Sequence, residues 1–206
     1  NSRPTIGLQA LQLIPMEKCE WCRDGGLLEK YHDTEWGIPC HNDRMLFEYL
    51  MLEAMSAGLS WILMLRKREI FRACFAGFDY EKVALFTAED VDKAMEYPGM
   101  IKSRRKIEAI IGNARCFIQI RQEFGSFDAY LWKYTDGHTL IYQSHLNGEW
   151  ITRNQLADVL AADLKKRGFK FLGSTLLYSY LQAVGLINDH AITCPMFKEI
   201  GGKIFT

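Results

Sequence analysis

The chain lacks an excess of either charge, carries only five prolines, and has no apolar run long enough to cross a bilayer. Lys and Arg together number 25, as do Asp and Glu. That balance excludes a polybasic arm or an acidic tail, so any nucleic-acid partner must be held by local patches. The run from Ala54 to Leu65 is among the longest uncharged apolar stretches, yet it falls well short of the roughly 20 residues a membrane span needs. No membrane partner is expected. The first residues have no basic segment followed by a long apolar run, so residues 1–15 read as an extension and not as a secretory signal. Cysteine is too sparse for a disulfide scaffold: six are spread over 206 residues, and only Cys19 and Cys22 lie close together. This is the usage of a reduced, cytoplasmic protein whose thiols pack or bind metal. Repeats and low-complexity tracts are also missing.

What is present suffices for a core. Hydrophobic residues make up 49% and aromatics 13%, enough for one compact domain or two small lobes, expected over 16–196 with 197–206 as a C-terminal tail. Period-2 alternation is almost absent and helical spacing recurs in segment after segment, so the class is mainly α. Ile107, Ile110, Ile111, Ala114, Phe117 and Ile118 line one stripe of a helix predicted from Ser103 to Phe124, with Gly125 to end it. Further helices are predicted at 43–57, 60–75, 88–96, 127–133, 152–166 and 174–184, with Ser60, Thr152 and Ser174 as N-caps. The Gly-, His- and Asn-rich segment 136–150 interrupts this pattern. It is the expected lobe boundary, with a short β-like stretch at 139–143.

Three groups of residues carry chemistry. Cys19, Cys22 and His32 stand near one end and His190 and Cys194 near the other, the last two in an H-x3-C spacing that lets both reach one ion. Zinc takes four such ligands in a tetrahedron, and spacing alone does not choose between Cys22 and His32. A Cys19–Cys22 redox pair is disfavoured because the strand-then-helix context is missing. Second, Lys165, Lys166, Arg167 and Lys170 place four positive charges between Leu164 and Thr175 with no acid among them. They flank a glycine hairpin, Gly168 to Gly173, before Ser174 and Thr175 open a helix whose free amides suit a phosphate. The alternative is a solvated helix connection. Lys102, Arg104, Arg105 and Lys106 crowd another helix start, where positive charge favours an anionic partner. Third, Trp21, Tyr31, Trp36 and Trp61 could converge with Glu53 on a planar, cationic ring; the alternatives are core aromatics and a solvent-facing carboxylate.

The stretches Tyr31-His32-Asp33-Thr34-Glu35-Trp36-Gly37, Leu52-Glu53, Ala57-Gly58-Leu59-Ser60-Trp61, Asn113-Ala114-Arg115, Gly168-Phe169-Lys170-Phe171 with Gly173, and Asn188-Asp189-His190 closely resemble the DNA-3-methyladenine glycosylase I family. The likeness runs in order from about Met16 to Pro195. It implies a helix-hairpin-helix DNA glycosylase fold of two helical lobes, in which Gly168, Lys170, Gly173, Ser174 and Thr175 bind the DNA backbone. It also implies a structural Zn2+ on Cys19, His32, His190 and Cys194 that joins the two ends of the chain, with Cys22 a neighbour. Trp61 and Tyr31 would stack on the alkylated base, Glu53 would bond its edge, and Trp21 and Trp36 would complete the wall. The implied activity is monofunctional hydrolysis of the N-glycosidic bond of 3-methyladenine in double-stranded DNA, by a monomer that releases the free base. Asp189 would either assist at the sugar or orient a zinc ligand. Met55-Ser56 departs from the family, whose members usually carry Gln before Ala-Gly-Leu-Ser-Trp. The competing class is a zinc-stapled helical module that binds DNA or protein without catalysis.

Overall fold

A computed structural model describes residues 17–23 and 25–205; the expected extension at 1–15 lies outside the described residues. In chain order the elements are α1 (Leu27–Thr34), α2 (Asp43–Ser56), α3 (Trp61–Cys74), α4 (Tyr80–Ala84), α5 (Ala88–Glu96), α6 (Arg104–Phe124) and α7 (Phe127–Trp132). They are followed by β1 (Leu140–Tyr142), α8 (Gln143–Leu146), α9 (Gln155–Lys166), α10 (Ser174–Ala183), α11 (Pro195–Ile200) and β2 (Lys203–Phe205). The mainly α class holds. Two predicted caps move: Asn154, not Thr152, starts α9 by accepting from Ala157 N at 2.9 Å. Gly173 precedes α10, which makes Ser174 its first helical residue. Within the expected C-terminal tail, β2 pairs in parallel with β1 in the register Leu140 to Lys203.

Helix α2 is the centre of the molecule. Every residue from Leu46 to Ser56 is buried, and the helix packs on α3, α6, α7 and α10. Asn42 caps its start by accepting from Met45 N at 3.1 Å. The predicted stripe of α6 is buried at Ile107, Ile110, Ile111, Ala114 and Phe117, while Ile118 is half-buried and Ile120 takes the inward position. The apolar core runs without interruption from Tyr31 to Ile187, so the two expected lobes share one interior.

Ion pairs fix three helices relative to one another. Arg68 of α3 donates to Glu48 of α2 at 2.5 Å and to Glu35, just past α1, at 2.6 Å; Tyr49 donates to the same Glu35 oxygen at 2.6 Å. Glu48 and Arg68 are buried, where loss of one partner strands the other charge and costs about 3–5 kcal/mol. The ends of the chain meet at two glycines. A Cβ on Gly37 (φ +80°) would lie 2.6 Å from His190 Nε2, and one on Gly185 (φ +80°) would lie 2.5 Å from Pro39 N. Among the described residues no helix is long and apolar enough to cross a membrane.

Candidate active site

A cavity of about 1000 Å³ opens among α1, the turn between α2 and α3, α10 and the segment leading into α9, and Trp21, Tyr31, Trp36, Glu53 and Trp61 all line it. The tertiary fold therefore brings together all five residues predicted to form a base pocket. Glu53 is 3% exposed, which excludes the solvent-facing alternative, and burial pushes its carboxyl up to about 8. Ser56, one helical turn on, donates to Glu53 O at 2.8 Å and approaches Oε2 at 3.4 Å. Two further polar atoms are buried here without partners, Tyr31 Oη and Trp61 Nε1. Such a group costs about 1–3 kcal/mol when left unsatisfied, so the cavity presents unmet donors around a carboxyl. The Tyr31 and Trp61 rings lie 5.6 Å apart and tilted by 49°, too close and too inclined to admit a third ring between them. They form one wall of the cavity, against which a planar base would lie. Trp21 and Trp36 pack edge-on at 4.9 Å and separate this wall from the cluster of Cys and His residues.

Another part of the lining is built around Asp189. Tyr178 donates to Asp189 Oδ2, Gln182 Nε2 donates to the same oxygen at 2.6 Å, and His145 Nδ1 stands 3.7 Å from Oδ1. Asp189 Oδ1 has no hydrogen-bond partner. Asp189 thus faces the cavity and orients no metal-ligating imidazole. The sequence pointed to Asp189, by the resemblance and by its place beside His190, but not to Tyr178 and Gln182, which read as ordinary helix positions.

Behind Trp36, the ligand atoms of Cys19, His32, His190 and Cys194 all lie within 4.8 Å of one another, and all four residues are buried. The distances are 3.1 Å for His190 Nδ1 to His32 Nε2, 3.5 Å for Cys194 to His32, and 3.7 and 3.8 Å for Cys19 and Cys194 to His190. Donors of a tetrahedral zinc, about 2.0–2.3 Å from the ion, stand about 3.3–3.8 Å apart; three of these four separations fall in that range and the fourth is slightly shorter, so the donor set fits with small side-chain shifts. Burial, with His32 beside it, holds His190 down at about 4, in the neutral ligating form. Burial pushes the Cys19 thiol up to about 12, and a cation in the cluster would favour the thiolate. Outer partners orient the ligands: His32 Nδ1 meets Asp33 at 2.8 Å, His190 Nε2 meets Trp36 O at 3.2 Å, and Cys19 Sγ accepts from Ala191 N at 3.2 Å. Cys22 instead donates to Cys19 O at 3.0 Å.

The turn from Arg167 to Gly173 joins α9 to α10. Gly168 needs its glycine, at φ +98° with a Cβ site 3.3 Å from Cys116 Sγ; Gly173 does not, and its missing side chain leaves open space at the start of α10. Asn113 of α6, buried and unassigned by sequence, clasps the turn from both sides: its Oδ1 accepts from Lys170 N at 2.9 Å and its Nδ2 donates to Lys170 O at 3.1 Å. Lys165, Lys166 and Lys170 are exposed. Arg167 is withdrawn from the predicted patch by Asp163 at 2.9 Å and Glu123 at 2.6 Å. In the other basic cluster three of the four residues have protein partners, while Arg105 lies over the Phe171 ring at 6.0 Å. Arg104 pairs with Asp92, Lys102 donates to Met95 O, and Lys106 donates to Met55 O at 2.8 Å and Ala57 O at 2.7 Å. Thr175, Ser179 and Gln182 line the cavity from one face of α10, so a single helix runs from the basic turn to the pocket.

Residues 21–198 match the model of a family described as methyladenine glycosylase. The chain is 45% identical over 179 residues to DNA-3-methyladenine glycosylase 1 of Escherichia coli (strain K12), covering 87% of this chain and 96% of that protein. It also superimposes, at TM-score 0.81 and 39% identity, on 3-methyladenine DNA glycosylase I from Staphylococcus aureus, over 87% of this chain and 96% of that one. A variant of a 3-methyladenine DNA glycosylase I solved in complex with 3-methyladenine gives TM-score 0.81 at 38% identity, over 86% and 95% of the two chains. With its residues in order and its pocket assembled, the chain belongs to the methyladenine glycosylase family.

Proposed function

We infer that the chain is a DNA repair glycosylase that hydrolyses the N-glycosidic bond of 3-methyladenine in alkylated duplex DNA. The observation that carries this reading is the convergence of Glu53 with the unpartnered Tyr31 Oη and Trp61 Nε1 on one cavity. Adenine methylated at N3 is cationic in the nucleotide. A wall of indole and phenol attracts such a ring by about 0.5–2 kcal/mol per face, and Glu53 adds a charge-assisted hydrogen bond that neutral adenine does not match. Selection is the harder task, because the cationic base already leaves readily.

The damaged nucleotide rotates out of the duplex into the cavity, at a cost of a few kcal/mol that is smaller for a poorly paired base. Lys170 and the amides at the start of α10, which no side chain caps, hold the backbone phosphates in the manner of a helix-hairpin-helix motif. Leu59, 41% exposed at the tip of the turn after α2, enters the vacated stack. Lys106 braces that turn through Met55 O and Ala57 O. The C1′–N9 bond then breaks with its electron pair leaving on the base, which departs neutral. Water forms the new C1′–O bond and gives its proton to solvent. No lysine lines the cavity among the described residues, which supports hydrolysis without strand cleavage, by an enzyme that acts as a monomer. Cys19, His32, His190 and Cys194 would hold Zn2+, which closes the chain ends and so stabilises the wall carrying Trp21 and Trp36. The six free cysteines suit a reducing, cytoplasmic setting.

The direct test is incubation with methylated duplex DNA and chromatography of the released base. The wild type frees 3-methyladenine, and Glu53→Gln frees it at least about tenfold more slowly at unchanged melting temperature, for a charged hydrogen bond of about 1.5–3 kcal/mol. Equal rates would remove Glu53 from the mechanism. DNA binding without any release would favour the non-catalytic module.

A further inference from the structure

Trp150 is 86% exposed, while the other cavity-lining tryptophans are half-buried. It lies on the rim segment Gly148 to Thr152, which lines the cavity between α8 and α9, facing the space also bounded by Gly58 and Leu59. An indole offers a large apolar face that gains most from being covered. Resting on the glycosylase reading above, we propose that Trp150 is a nucleic-acid contact that stacks on the nucleotide adjoining the extruded one.

Three observations point to a nucleobase as the occupant. The cavity, at about 1000 Å³, has several times the room one purine needs. The purine's own place is the buried end defined by Tyr31, Glu53 and Trp61, which leaves the outer part for what stays attached to it, a sugar and a neighbouring nucleotide. The rim also leads into α9, a helix about 18 Å long whose far end carries the exposed Lys165 and Lys166, and Arg153, just past the rim, is exposed without an ion pair among the described residues. A strand held by its phosphates at the far end of α9, with one base delivered into the cavity, meets the rim where it enters, beside Arg153 and Trp150. Finally, stacking on an indole is tolerant of sequence, because every base has a π-face, which suits an enzyme whose lesion occurs in any sequence context.

Trp150→Ala and Trp150→Phe distinguish this role from a structural one. Alanine removes a stacking contact and should weaken binding to alkylated duplex DNA about five- to hundredfold, while phenylalanine restores most of it. Because stacking releases no counterions, the slope of log K against log salt stays that of the wild type. Binding of free 3-methyladenine by calorimetry, and the melting temperature, stay unchanged in both variants. Unchanged DNA affinity in Trp150→Ala, or a matching loss of free-base affinity, overturns the proposal. Failure of the wild type itself to bind the free base or release it from DNA would instead strike the glycosylase reading.

Discussion

Glu53 is enclosed by α2's own apolar neighbours, and burial, opposed only by the Ser56 hydrogen bond, raises its carboxyl to about 8. In the empty cavity it is therefore mainly protonated at neutral pH. A cationic ring placed beside it favours the carboxylate, so binding releases a proton wherever the free protein still holds one. The sign follows from linkage: the affinity for alkylated DNA rises as pH climbs from 6 towards 8 and levels off above it. Glu53→Gln, which cannot ionise, flattens that rise, and dissociation constants at pH 6, 7 and 8 check it. A wild-type profile as flat as the variant's would mean that Glu53 is ionised before the base arrives. Ser56 stands where the resemblance leads one to expect Gln, and here its hydroxyl donates to the Glu53 carbonyl and approaches the carboxylate.

At the scale of elements, α9, its turn and α10 act as one unit, held to α6 by the Asn113 clasp on Lys170. The clasp fixes the backbone of Lys170 while leaving its ammonium exposed. Lys170→Ala should therefore weaken binding to damaged and undamaged duplex alike and reduce the slope of log K against log salt by about 0.9, the share of one phosphate. Anisotropy titrations between 50 and 200 mM salt measure both quantities. A loss confined to damaged DNA would place Lys170 in base recognition instead. The central helix α2 has a simpler logic: buried from Leu46 to Ser56, it carries Glu53 on a rigid element, and Arg68 and Lys106 tie α3 and α6 to it.

Across the whole molecule, Cys19 and His32 from the start of the described chain meet His190 and Cys194 from near its end. An ion held there offsets the entropy of closing that long loop. Removing it with a chelator, or replacing His190 by Ala, should lower the melting temperature by more than about 5 °C, since each kcal/mol moves the midpoint by about 2–4 °C in a chain of this size. Scanning calorimetry with and without added Zn2+ checks it, and a chelator without effect would remove the metal from the account.

Residue types and local periodicity, read from the sequence, determined the mainly α class, the bounds of helices such as α5 and α6, and the residues that the fold gathers at the cavity and in the Cys and His cluster. These depend on spacing along a few turns, which a chain displays without folding. The short helices α1, α4, α8 and α11 escaped, although the six-residue α7 did not, because four to eight residues complete about one to two turns and show a period weakly. The partners of Arg104, Arg167 and Lys106 were hidden because an ion pair joins residues far apart in sequence, so a local run of positive charge says nothing of what neutralises it. Only the tertiary structure decided that Tyr31, Glu53 and Trp61 face one cavity, that Asp189 bonds Tyr178 and Gln182, and that the chain's last strand lies beside Leu140. Each of these is a meeting of distant segments, set by how the helices pack on α2 and by close approaches such as that of Gly37 to His190.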